Sequence, residues 1–349
     1  MKKIFAISLA LILALALVVP ALASDGPESR TVDTLAEVGG EGDNSPYICA
    51  KWETPDHYPE LDNTQVNPVP GDMRTVKFYV VVGDTNGIQD VDAVYIKVYH
   101  PDQSFKFQLD AFRPTWTVIP WGGMIDMDGD CTPDTVLDLA LDQLEAECRI
   151  TYGFDPVRQA KMNLSTLKYD LSHNKQFLVE LVGYFHYHQP CGMYKVEALV
   201  TDGHGGLGTL INYLKYESIV ALRIDFSQIN FQTVNPNEFN ILYGDEDLMT
   251  PTKPTIQNIG NDPSMILLHA SVMVGEQHFK EITTFDAYMR GGYIVFEACN
   301  PTIITDGYGP VMLPPCTPTQ IDFSVHPSEF VLPDMYRGTM TITILHFGG

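Results

Sequence analysis

Residues 92–100 read DAVYIKVYH, and residues 104–112 read SFKFQLDAF. In both, apolar residues take every second position: Val94, Ile96 and Val98, then Phe105, Phe107 and Leu109. Side chains alternate across a strand, so this period of two specifies a sheet with one face buried, and it cannot be laid on a helix. VKFYVVV at 76–82, QFLVELVGYFHYH at 176–188 and MYKVEALVTD at 193–202 have the same aromatic and β-branched character. The turn clusters GDTNG, HPDQS, QPCG and DGHGG separate them.

The rhythm breaks over 132–173. Thr132 stands as a cap, Pro133 at a first helical position, and Val136, Leu137, Ala140, Leu141 and Leu144 follow helical spacing. Asp155-Pro156 starts a second helical candidate running towards Leu171. A β pattern resumes after the stretch NYLKYES, 212–218, with IVALRIDFSQINF, YIVFEACN and YRGTMTITILHF. The expected architecture is mainly β: a sandwich over 46–215 with a helical insertion at about 132–173, and a second sandwich over 216–349.

Residues 1–23 carry Lys2 and Lys3, an apolar run from Ile4 to Val19, and Ala21-Leu22-Ala23, which reads as a secretory signal peptide. The alternative is a membrane anchor, since the run approaches the roughly 20 residues that span a bilayer; Pro20 and the small-residue triplet favour removal, leaving no membrane insertion. Residues 24–45 are Gly-, Asp- and Glu-rich and aperiodic, a flexible arm. The expected mature chain is secreted, to the cell surface or beyond. A formal charge of −23 repels nucleic acid and attracts cations. Six cysteines in an exported chain read first as disulfides, and spacing suggests Cys131–Cys148, Cys299–Cys316 and Cys49–Cys191.

VVVGDTNGIQDVDAVYIKVYHPDQSF resembles a strand–turn–strand of immunoglobulin-like domains in prokaryotic, including archaeal, surface proteins. YKVEALVTDGHGGLGT resembles their closing strand. In the second half, IDFSQINFQTVNP, PTIQNIGND and YRGTMTITI are similar to another extracellular sandwich pattern. The resemblance implies β-sandwich modules with structural roles outside the cell, seldom catalysis.

IDMDGDCTPD, 125–134, holds four aspartates around one glycine. Asp126, Asp128, Asp130 and Asp134, with Asp138 one helical turn on, offer the hard oxygen ligands that calcium takes from a short loop. The stretch resembles the DxDGD calcium loops of thrombospondin-type and EF-hand-like repeats, departing at Cys131 and lacking a glutamate at the twelfth position. The competing reading is an acidic turn at a helix start. Asp84, Asn86, Asp90 and Asp92 form a second acidic turn, either an ordinary turn or another calcium site that Asp202 joins if the strands pair. His186 and His188 are a strand-spaced pair, suited either to zinc or copper or to a strand rim. Asn163-Leu164-Ser165 is a glycosylation triplet. No G-x-S-x-G, H-E-x-x-H or P-loop occurs.

These features together point to a non-enzymatic extracellular structural protein, calcium-clasped and disulfide-bonded. It would assemble with its own copies into a layer, sheath or filament, the arm adding a strand to a neighbour's sheet. A calcium-dependent module binding polysaccharide or a surface partner through exposed aromatics is the alternative, and a hydrolase with an unrecognised site the third reading.

Overall fold

The computed structural model describes residues 45–347 except 62 and 114, and it is mainly β with two short helices. The expected signal peptide and all of the expected arm but its last residue lie outside the described residues. No helix among the described residues is long and apolar enough to cross a membrane.

The first half is built on β1 (Tyr47–Thr54), β2 (Thr64–Val66), β3 (Met73–Gly83), β4 (Val91–Tyr99), β5 (Phe105–Phe112) and β6 (Thr117–Ile119). After the insertion come β7 (Gln176–His186), β8 (Gly192–Asp202) and β9 (Leu207–Tyr216). One sheet runs β6-β7-β3-β1, with the two-residue strand Thr151–Tyr152 beyond β1; the other runs β2-β9-β8-β4-β5. Between them lies an apolar core that includes Phe78, Val80, Val94, Ile96, Val179 and Val196.

Tyr79, Val81 and Leu178 point out of the opposite face of the first sheet, and there the insertion covers them. Helices α1 (Leu137–Ala146) and α2 (Leu164–Ser172) bring Leu137, Leu141, Leu144, Leu167 and Leu171 onto that face, with Trp52 fully buried beneath. Trp52 stacks on Tyr79 with centroids 5.5 Å apart, a pairing that contributes about 0.5–1.5 kcal/mol beyond its buried area. Burial on both faces is the reason FYVVV, 78–82, is an unbroken apolar run where its neighbours alternate.

Both helices start later than the spacing suggests. Asp134 N–H donates to the Ile125 carbonyl, and Met124–Ile125 pairs with Thr135–Val136, so Thr132 and Pro133 belong to a hairpin tip and α1 starts at Leu137. Asp155 is buried and takes the amides of Val157 and Arg158, so the second helix waits for Asn163, whose side chain caps it by accepting from Thr166 N at 3.0 Å.

The chain passes to the second half after Tyr216. Here strands are shorter: β10 (Leu222–Ile224), β11 (Asn240–Leu242), β12 (Thr255–Asn258), β13 (Ser264–Ala270), β14 (Thr284–Met289), β15 (Gly292–Glu297), β16 (Pro318–Gln320), β17 (Asp322–Val325) and β18 (Met340–His346). They form the sheets β11-β17-β14-β15 and β10-β12-β16, while β13 pairs with β18. Ile266, Leu268, Phe285, Met289, Phe296 and Phe323 are among the residues that fill their common core. The NIGN motif at 258–261 joins the halves. Asn261 accepts Ile219 N at 2.7 Å and donates to Glu217 O at 2.8 Å. A Cβ on Gly260 would stand 2.1 Å from the Ile219 carbonyl, which is why glycine is needed there.

None of the three expected disulfides is formed in the structure, where all six cysteines are unbridged. Cys49 lies beside the Val82 end of β3, whereas Cys191 lies beyond His186, which pairs with Met73 at the other end. Roughly 30 Å of strand separates these levels at about 3.3 Å per residue, several times the Cα separation a disulfide spans. Cys299 hydrogen-bonds at the Ala270 end of β13, and Cys316 follows Leu313, which pairs at the Ser264 end. Cys131 and Cys148 are exposed and unlinked, the first on the aspartate loop and the second at the end of α1. Spacing counted residues along the chain; strand direction carried the partners apart.

Candidate functional site

The aspartate loop is the tip of the hairpin between Met124–Ile125 and Thr135–Val136. Its first carboxylate, Asp126, has no exposed surface. Oδ1 accepts the Gly129 amide at 2.7 Å, and Oδ2 accepts the Cys131 amide at 2.9 Å and the Lys77 ammonium at 2.8 Å. The Asp126 amide donates to Tyr79 Oη at 3.3 Å, and its carbonyl accepts Thr54 Oγ1 at 2.8 Å. One residue thereby ties β1, β3 and the insertion together. Burial pushes the Asp126 carboxyl up, but Lys77 and the two amides outweigh it and hold the group below the usual carboxylate range. Gly129 has φ +76°, and a Cβ there would approach Pro55 Cδ to 2.6 Å.

Asp128 and Asp130 are exposed above this buried anchor, and ligand oxygens of Asp126, Asp128 and Asp130 lie within 4.8 Å of one another. Among the described residues this is the one convergence of three or more His, Cys, Asp or Glu ligand atoms. Asp128 accepts Asp130 N at 3.1 Å and Asp130 accepts Thr132 N at 2.7 Å. Asp134 stands apart, accepting Met127 N and Thr135 Oγ1; Asp138 pairs with Lys168 on α2 at 2.9 Å. The donor set is hard oxygen, which fits calcium. At its innermost member the compensating charge is already Lys77.

The second acidic turn is assembled differently. Buried Asp84 accepts Asn86 N at 2.7 Å, a turn-type bond, and Asp92 is an exposed residue of β4 whose carbonyl accepts Arg113 N. Pairing of Asp202 with Val91 sets Asp202 beside this turn, where Gly203 N donates to the Asp90 carbonyl and His204 Nδ1 lies 3.6 Å from Asp90. The rings of His186 and His188 are 3.9 Å apart, at a cavity of about 430 Å³ that His100 and His188 line. Burial lowers the His188 pKa, and the charges of His186 and Lys106 lower it further. Asn163 is exposed, but its side-chain oxygen is engaged as the α2 cap.

One cluster escaped the sequence reading. On β14, Phe285, Ala287 and Met289 face the core, so Asp286 and Tyr288 face outward; Tyr293 on β15 and Ser324 on β17 share that outer face. A cavity of about 360 Å³ lies among them, with Phe239 and His326 at its wall. Asp286 is buried in spite of facing outward, and one oxygen accepts from Tyr293 Oη at 3.0 Å, Ser324 Oγ at 2.9 Å and His326 Nε2. Phe239 stacks on His326 with centroids 5.6 Å apart. The available signal was the parity of TFDAYM and DFSVH, which places acids and aromatics opposite the core positions.

No family model matches the chain, and no curated protein matches its sequence. Three solved structures align over most of it. One is described as "Chaperone-tip adhesin complex is vital for synergistic activation of CFA/I fimbriae biogenesis", at 9% identity and TM-score 0.31, covering 84% of this chain and 97% of that one. Another is described as BspA_C_mut, at 11% identity and TM-score 0.23, covering 87% and 99%. A third concerns "the promiscuous specificity of the carbohydrate-binding modules from the beta-sandwich super family", at 10% identity and TM-score 0.19, covering 86% and 98%. At overlaps this poor nothing about the chemistry of this chain follows from them.

Proposed function

We propose that this chain is an extracellular structural protein, a β-sandwich building unit of a surface layer, sheath or filament. The observation that supports this reading best is the use made of Asp126. The most buried carboxylate of the loop spends both oxygens on scaffold groups, two amides and the Lys77 ammonium, and so locks the insertion to the first sheet. Groups committed in this way maintain shape and are not free to take up a substrate. Calcium belongs at the rim, on Asp128 and Asp130 with Asp126 behind them, where it would relieve the repulsion of the exposed pair. The expected partners are further copies of the same chain. Electron microscopy of the native envelope and of purified protein, with calcium and with chelator, tests the proposal. Ordered assemblies are expected, and single particles in every condition would refute it.

A second reading, an adhesion module, draws on the Asp286 cavity. Exposed Phe239, Tyr288 and Tyr293 surround polar groups there, the mixture of ring faces and hydrogen-bonding atoms that suits a polysaccharide or a partner's surface. A glycan array run with wild type and Tyr293→Ala separates the two readings, since binding lost in the variant favours adhesion.

A further inference from the structure

Alternation along β1 sets Ala50 and Trp52 towards the helices and Lys51 and Glu53 towards the core between the two sheets. Alternation along β9 likewise aligns Asn212 with the core residues Leu210, Leu214 and Tyr216. A lysine, a glutamate and an asparagine therefore stand where the pattern calls for apolar side chains. Lys51 is 1% exposed and Glu53 is fully buried.

Their arrangement is specific. Lys51 Nζ lies 3.5 Å from Glu53 Oε1, and Asn212 Nδ2 donates to Glu53 Oε2 at 2.7 Å, so amine and amide sit on the two oxygens of one carboxylate. Lys51 Nζ also donates to the Val196 carbonyl at 2.9 Å, and Val196 is the residue paired with Asn212 across β8 and β9. Asn212 Oδ1 is buried and accepts no hydrogen bond from the described residues. Thr64 Oγ1, 3.5 Å from Glu53 Oε2, completes the polar surroundings, and Glu197, held by Tyr99 and Lys195 on the outer face of the second sheet, adds a more distant negative charge.

We infer that Lys51 and Asn212 are placed to join in a side-chain amide, with Glu53 as the proton carrier. The Lys51 amine attacks Cγ of Asn212. Glu53 takes a proton from the attacking nitrogen through Oε1 and delivers one to the leaving Nδ2 through Oε2. A carbon–nitrogen bond forms, the carbon–nitrogen bond to Nδ2 breaks, and one ammonia departs; Glu53 is regenerated and no oxidant or cofactor is needed. Burial pushes the Lys51 pKa down to about 8 against the opposing pull of Glu53, so neutral amine is accessible near neutral pH. The new amide is uncharged, which removes the cost of holding an ammonium in the core, while Glu53 stays beside it. It would bind the first strand of one sheet to the last long strand of the other. This inference stands on the triad alone, independent of the surface-layer reading.

Peptide mapping by mass spectrometry of the folded full-length protein, incubated at neutral and mildly alkaline pH, tests it. The expected result is a branched peptide joining the segments around Lys51 and Asn212, lighter than their sum by one ammonia, with Lys51 resistant to trypsin. Glu53→Gln and Lys51→Met are expected to yield only linear peptides. Linear, unmodified peptides across both residues in wild type would overturn the inference whether or not either variant folds. A branched peptide persisting in Glu53→Gln would overturn the role given to Glu53.

Discussion

The two halves of the chain place their polar groups in opposite ways. In the first, strands of eight to eleven residues enclose Lys51, Glu53 and Asn212 between the sheets, and Lys77 and Asp126 beneath the insertion. In the second, shorter strands pack an apolar interior, and the buried carboxylates Asp286 and Asp322 lie on the outer face, at the cavity lined by aromatic side chains. The contrast separates two uses of charge. Inside the first half charges tie elements that share no sheet; outside the second they shape a cavity. All three tryptophans, Trp52, Trp116 and Trp121, belong to the first half, so their fluorescence follows that half alone.

The largest effect is expected from Lys77→Met. It strands Asp126 as an uncompensated buried charge, which costs about 3–5 kcal/mol. Tryptophan-detected chemical denaturation should shift by that much, while hydrogen exchange in β13 and β14 stays near wild type. Equal loss in both halves would show them to be one cooperative unit. Leu268→Ala is the converse experiment. A fully buried side chain leaves a cavity in the second core, at a cost of about 2–5 kcal/mol, and hydrogen exchange of β13 should rise before tryptophan emission changes.

Asn163→Ala removes the α2 cap and should cost about 1 kcal/mol, read as faster exchange at the start of that helix. Acid sharpens the comparison further. The Asp126 pKa is depressed on folding, so its contribution is fully present above the ordinary carboxylate range and is lost as pH falls through the folded value. Tryptophan-detected stability should therefore fall below about pH 4, less steeply in Asp126→Asn. The smallest effect is expected from Asp128→Asn. In chelator it should change stability by less than about 0.5 kcal/mol, as exposed substitutions do. In calcium it should abolish whatever rise in melting temperature wild type shows. A wild type indifferent to calcium would leave Lys77 as the only cation of the loop.

The strands were legible because period two reports a buried face without reference to what covers it. Helix starts were not, since Pro133 and Asp155 carry ordinary start signals whose meaning changed once Asp134 bonded back to Ile125 and Asp155 was buried. The aspartate loop was visible as a run of ligands, but Lys77, 49 residues earlier, could not be matched to it by spacing.

Composition and alternation by themselves determined that the chain is a β protein with an acidic surface, because those properties are carried by each residue and its near neighbours. Which carboxylate receives a lysine, which cysteines are kept apart, and why Lys51, Glu53 and Asn212 meet were decided only by the tertiary structure. Those outcomes depend on strand direction and sheet order, which bring side chains together from distant parts of the chain and give each charge its dielectric surroundings.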